Sequence, residues 1–147
     1  MTTTQDSATR TLNRECLQRA MAGITACDAE AVGAELDKSI VFELPFETSV
    51  PDTDRDGFLQ LLSMMFVLFK RFTITITEIY DLADPDMLIA RYRSDCEGRE
   101  KPVPYRNEYI GIFHFHRGKL TYWREYDNPD LVRAAMAQFV DEPGPTA

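Results

Sequence analysis

Basic side chains are scarce in this 147-residue chain: 16 lysines and arginines stand against 24 aspartates and glutamates, for a formal charge of −8. Nucleic-acid binding draws much of its affinity from cations that neutralise phosphates, so DNA and RNA are not expected partners, and an anionic membrane surface is disfavoured for the same reason. Long apolar runs are also missing. The longest, Phe58 to Phe69, is interrupted by Gln60 and Ser63 and falls short of the roughly 20 residues that span a bilayer. The first residues do not set a basic stretch before an apolar one, so no secretory signal is expected and cytoplasmic residence is the default.

Cysteine is limited to Cys16, Cys27 and Cys96, odd in number and far apart, without the paired spacing of a zinc ribbon or a redox motif. Reduced, structural thiols are the expectation. The two histidines, His114 and His116, have a spacing that suits a metal, but no third ligand is evident and no metal is expected. The glycines form neither a phosphate loop nor a dinucleotide fingerprint, and there is no Gly-x-Ser-x-Gly elbow. Neither a bound cofactor nor nucleophilic catalysis is therefore expected.

What the chain does have is a hydrophobic fraction of 44% with 11% aromatics, enough apolar surface to offset the entropy of ordering. Its length fits one domain. Residues 11–140 are assigned to that domain, with 1–10 (polar, Thr-rich) and 141–147 (rich in Pro and Gly) as disordered tails. Leu12, Cys16, Leu17, Ala20, Met21 and Ile24 recur at helical spacing, and Asp28 offers an N-cap to a short second helix carrying Ala29, Val32 and Leu36. Ile40, Val41 and Phe42 read as a short strand that stops at Pro45. The Phe58 to Phe69 block reads as a helix apolar on nearly every side, either buried or covering a cavity. Alternation then predicts two hairpins: Phe72 to Tyr80 with Met87 to Cys96, and Tyr105 to His116 with Leu120 to Tyr126. A C-terminal helix follows Asn128 and Pro129. The order is that of an α+β chain with an antiparallel sheet.

Two acids are out of keeping with their surroundings. Glu43 lies amid Phe42, Leu44, Pro45 and Phe46, where desolvation would raise its pKa toward a range useful for moving protons; the alternative is an edge-strand carboxylate facing water. Glu125 shares a strand face with Thr121 and Trp123, and a carboxyl against an indole suits a general acid or base. Its alternative is an ion pair with Arg91 or Arg93, which would depress the pKa. On the preceding strand Tyr105, Asn107 and Tyr109 form a polar aromatic face, and Gly111 leaves room beside it for a ligand. Those three side chains either orient a ligand or bond to one another within a core or a dimer contact.

The segment Asp37-Lys38-Ser39-Ile40-Val41-Phe42-Glu43-Leu44-Pro45 carries a resemblance. So do Tyr105-Arg106-Asn107-Glu108-Tyr109, Gly118-Lys119-Leu120 and Arg124-Glu125-Tyr126-Asp127-Asn128-Pro129. Together they resemble the SnoaL-like branch of the nuclear-transport-factor-2-like superfamily, over about Leu12 to Phe139. The resemblance implies a cystatin-like α+β fold: a cone-shaped, curved, antiparallel (mixed) sheet wrapped around three helices of the N-terminal half, with a short C-terminal helix. Such a cone encloses a pocket for a small hydrophobic ligand, usually in a homodimer. The branch includes polyketide cyclases, ketosteroid isomerases, a limonene epoxide hydrolase and the phenazine-biosynthesis A/B proteins. Glu43 falls where the isomerases carry an Asp general base, and Glu125 where the phenazine proteins carry an acid/base Glu. The chain departs from the isomerases in lacking an alignable Tyr and protonated Asp pair, and from the phenazine proteins in lacking their helix-three His.

The expectation is therefore a cofactor-independent acid/base enzyme of isomerase, cyclase or dehydratase type, acting on a hydrophobic carbonyl or cyclic substrate. Glu125 and Glu43 are its expected catalytic residues, and Trp123, Asn107, Tyr109, Tyr105, Met65 and Phe66 its expected binding residues. The alternatives are a non-catalytic module that binds a ligand in the same cone, and a dimerising scaffold whose interior is filled by Met64, Met65, Phe66 and Trp123.

Overall fold

The computed structural model describes residues 3–140. Helix α1 (Thr4–Thr25) starts well inside the segment expected to be a loose tail. Thr3 caps it by accepting from the Asp6 amide at 3.0 Å, and Arg10 donates to the Leu82 carbonyl at 2.8 Å. A polar sequence there marks the solvent face of a helix, which needs no apolar residues, and the cap satisfies one of the open N–H groups. The C-terminal segment 141–147 lies outside the described residues.

Cys27, at φ 54°, turns the chain out of α1, and Asp28 caps the short α2 (Ala29–Gly33) by accepting from the Ala31 amide. Leu36, expected in that helix, opens strand β1 (Leu36–Glu43) instead. After a loop, Asp54 caps α3 (Arg55–Leu68) through the Gly57 amide at 2.9 Å. Strands β2 (Phe69–Asp81), β3 (Met87–Gly98), β4 (Pro104–His116) and β5 (Lys119–Tyr126) follow as the two expected hairpins. Asn128 caps the closing α4 (Pro129–Phe139), with proline in the first turn, where its missing N–H costs nothing.

The five strands form one sheet in the order β1-β5-β4-β3-β2. All neighbours are antiparallel except β1, which lies parallel to β5, so the sheet is mixed. Period-2 burial along β3 and β4 turns Ala90, Tyr92 and Ser94, and Tyr105, Asn107, Tyr109, Gly111 and Phe113, to the inner face. A register shift opposite His114 and Phe115 leaves Thr121 without a cross-strand partner, so Leu120 and Trp123 both point inward. Thr121 does not simply continue the Trp123 and Glu125 face.

The main core joins α1, α3 and the inner sheet face around Leu17, Ile40, Phe113, Leu120 and Trp123. Burial of each such side chain is worth about 1.5–3 kcal/mol. A smaller cluster of Phe69, Cys96, Val103, Tyr105 and Ala135 fastens α4 over the far end of β4. Cys16 and Cys96 are free and buried, with burial pushing both thiols up to about 12. No helix among the described residues is long and apolar enough to cross a membrane.

Candidate active site

A cavity of about 340 Å³ lies between the inner sheet face, α1, α3 and α4. Its walls are apolar over Phe58, Leu62, Met65 and Met136, with Tyr105, Tyr109 and Trp123 on the sheet side. The interior is not filled in the way a purely structural module requires. Helix α3 is not enclosed on all sides either: Phe58, Leu62 and Phe66 are buried, whereas Met64 and Val67 are 52% and 71% exposed. The apolar run serves the core and the cavity wall together through Phe58 and Leu62, and leaves Val67 at the surface. Phe66 is among the core residues and does not line the cavity, contrary to expectation; Met65 does.

Glu125 lines this cavity. Tyr92 donates its hydroxyl proton to Glu125 Oε1, and Trp123 Nε1 donates to the Tyr92 hydroxyl at 3.2 Å. Desolvation moves the Glu125 carboxyl up to about 7; the Tyr92 bond opposes this, and the nearby charge of Asp127 adds to it. The ion pair with Arg91 or Arg93 does not form, because both arginines alternate to the outer face of β3 on either side of the inward Tyr92. Tyr92 itself is held far above the usual phenol range by burial and by Glu125, so it stays a neutral donor.

Ala90, Gly111 and Glu125 stand abreast on β3, β4 and β5. A Cβ on Gly111 would meet the Phe113 ring at 2.5 Å and the Tyr92 hydroxyl at 2.9 Å. The space that Gly111 leaves is thus taken up by Phe113 and the Tyr92 hydroxyl, and the ligand space lies elsewhere.

Tyr105 and Tyr109 share a hydroxyl contact of 2.9 Å, extended at one end by Ser94 and at the other by Asn107 Nδ2, which donates to Tyr105 at 2.9 Å. Burial raises both tyrosine pKa values, so both remain protonated in the cavity wall. Asn107 is buried but does not reach the cavity. It donates to the Asn128 carbonyl at 3.0 Å and accepts from the Asn128 amide at 3.2 Å, fixing the turn between β5 and α4. Its place is behind the tyrosines, as a positioning residue.

Glu43 is on the other face of the sheet. It accepts from the Tyr122 hydroxyl and from Arg124 Nη1, each at 2.5 Å, and these bonds hold its pKa below the usual carboxylate value rather than above it. The structure does not bring it together with Glu125. His114 likewise lies outward, its ring against Tyr122 at 4.7 Å.

Two further carboxyls line the cavity that strand alternation did not single out. Asp127 follows β5, and desolvation, with Glu47 nearby, lifts it to about 6. Glu47 sits in the loop after β1, is only 7% exposed and is raised by burial against a weaker opposing pull from Arg133. Both occupy loops, where period-2 arguments say nothing. The inward Tyr92 was legible in the alternation of Ala90, Tyr92 and Ser94.

A profile of the SnoaL-like domain matches residues 17–123. The chain belongs to the SnoaL-like family. The uncharacterized protein YesE of Bacillus subtilis (strain 168) is 26% identical to this SnoaL-like domain over 125 residues, or 83% of this chain and 85% of that protein. A proposed isomerase from Bacillus subtilis superposes with a TM-score of 0.79 at 23% identity, covering 87% of this chain and 94% of its own. An LEH-like epoxide hydrolase from M. tuberculosis superposes at 0.69 with 18% identity, covering 88% and 92%. Likeness at this distance carries the nuclear-transport-factor-2-like fold and leaves the chemistry to the residues present. The profile match ends at Trp123, so Glu125 and Asp127 lie just beyond it.

Proposed function

We propose that this SnoaL-like domain is a cofactor-independent acid/base enzyme acting on a small apolar carbonyl or cyclic compound, with Glu125 as the catalytic residue. The observation that supports it most is a carboxyl of near-neutral pKa in the wall of an apolar cavity, held by the Tyr92 hydroxyl. At neutral pH both forms of such a group are populated, the condition under which one residue can take a proton and give it back. In its ionised form Glu125 removes a proton from a carbon beside the substrate carbonyl. The C–H electron pair becomes an enolate, and the neutral Glu125 returns the proton to that carbon or to another. Tyr105 and Tyr109, kept protonated by burial, spend one hydroxyl proton on the bond between them, and the other is the donor that the wall offers to the developing oxyanion. Isomerisation, cyclisation and dehydration are all built from such transfers.

Deuterium incorporation from D₂O into a panel of apolar cyclic ketones, followed by NMR, tests this reading. The wild-type protein accelerates exchange into at least one of them, and Glu125→Gln lowers that rate by about 10²–10⁴-fold. Equal exchange by the two proteins contradicts it. A homodimer belongs to the same proposal, supported by Val41 and Ile110, exposed on the outer sheet face. Light scattering at the mass of one chain, 16.8 kDa, would refute that part alone.

A further inference from the structure

The acids of the cavity outnumber its cations. Glu125, Asp127 and Glu47 all line it, and the one cation among the lining residues, Arg133, has its guanidinium paired with Asp130 at 2.5 Å. Among the described residues no side-chain hydrogen bond or ion pair engages the carboxyl of Asp127 or Glu47, and Glu47 Oε1 is fully buried without a partner. A carboxyl oxygen without a partner, on a residue 93% removed from solvent, costs free energy that natural folds rarely leave uncompensated. Among the described residues no group of three or more His, Cys, Asp or Glu side chains is arranged to hold a metal ion.

The surrounding wall narrows the chemistry of what can supply the charge. Phe58, Tyr105, Tyr109 and Trp123 offer apolar faces that exclude a strongly hydrated inorganic cation but accept the alkyl or aromatic body of an organic one. An ammonium on such a body brings several N–H donors, each able to form a charge-assisted bond to Glu47 or Asp127, and aromatic faces add attraction for the cation. The net charge of −8 favours the approach of a cation over that of an anion.

We propose that the cavity takes a ligand bearing a protonated amine on an apolar skeleton, the ammonium seated between Glu47 and Asp127. This rests on the proposed function insofar as the same cavity holds the substrate, and it narrows the substrate class to amino-substituted carbonyl or cyclic compounds. Glu47 and Asp127 are binding groups in this scheme, and Glu125 keeps the proton-transfer role.

The matched probes 4-phenylbutylamine, 4-phenylbutanol and 4-phenylbutanoate separate charge from shape. Their binding is read by calorimetry at pH 7.5 and by the fluorescence of Trp123, the single tryptophan and part of the cavity wall. The amine binds at least about 10-fold tighter than the alcohol, as expected of one charge-assisted bond, and the carboxylate binds weakest. Glu47→Gln and Asp127→Asn each shrink the preference for the amine while leaving alcohol binding in place, which shows that the cavity still folds. Amine and alcohol of equal affinity, a preference that survives in the double variant, or no binding of any probe overturns the proposal. The amine preference persists in Glu125→Gln, so loss of the proton-transfer reading and loss of the ammonium site register in different measurements.

Discussion

Tyr92 on β3 reaches over β4 to donate a hydrogen bond to Glu125 on β5, passing where Gly111 has no side chain. Two strands that do not touch are thereby joined at the carboxyl proposed to do the chemistry. The bond stabilises the ionised form, so it counteracts part of the rise that burial imposes. Tyr92→Phe removes this counterweight and raises the Glu125 pKa further above 7. The ascending limb of the pH profile of kcat/KM then moves to higher pH, with the rate at pH 7 lowered. A profile that stays in place would show that Tyr92 does not set the titration.

Gly111→Ala tests the same geometry from β4. An added Cβ has to displace the Phe113 ring, 2.5 Å away, or the Tyr92 hydroxyl, 2.9 Å away. Overpacking of this kind costs about 1–3 kcal/mol, which a urea melt resolves. The near-neutral titration of Glu125 should be disturbed along with the stability. Full stability and an unchanged titration would show that the space is slack.

Stability carries its own record of the desolvated acid. A carboxyl raised from the ordinary 4.5 to about 7 makes a contribution that is complete below pH 4.5 and is lost as pH rises through 7. Glu125→Gln has no such proton to lose. Between pH 4.5 and 8 the variant should gain on the wild type by on the order of 3 kcal/mol in unfolding free energy. Parallel curves for the two proteins would contradict the raised pKa.

Glu43 should behave in the opposite sense. Its pKa is depressed, first by the Tyr122 hydroxyl and then by Arg124, so its contribution is present above the ordinary carboxylate value and lost in acid. Glu43→Gln should lower the urea midpoint at pH 7, with the difference closing as the pH falls below about 4, and leave ligand binding in the cavity unchanged. A variant that loses cavity binding while keeping its stability would return Glu43 to the site.

The contrast between these two acids shows what could be read in advance. Strand alternation puts Glu43 on the face opposite Phe42, so its apolar sequence neighbours are not its spatial surroundings. In a strand those neighbours point the other way, and the groups that fix its charge, Tyr122 and Arg124, come from β5. For Glu125 the informative neighbour was Trp123, two residues away on the same face, so local sequence and spatial surroundings coincide. The hairpins, the Asp28 cap, the Asn128-Pro129 start of α4 and the order of elements were legible for the same reason: each is fixed by spacing within a short segment. Glu47 and Asp127 were not, because both lie past the ends of strands, and only the packing of the loop after β1 and of the β5–α4 turn makes them part of the cavity wall. Helicity from Thr4 was missed because a polar composition fits the outer face of a helix as well as a tail.

The most direct test is the titration of Glu125 itself. In protein labelled with ¹³C at the glutamate carboxyls, one resonance is absent from the Glu125→Gln spectrum and thereby assigned. A midpoint near 7 for that resonance is predicted, and titration at or below the ordinary 4.5 would contradict the account.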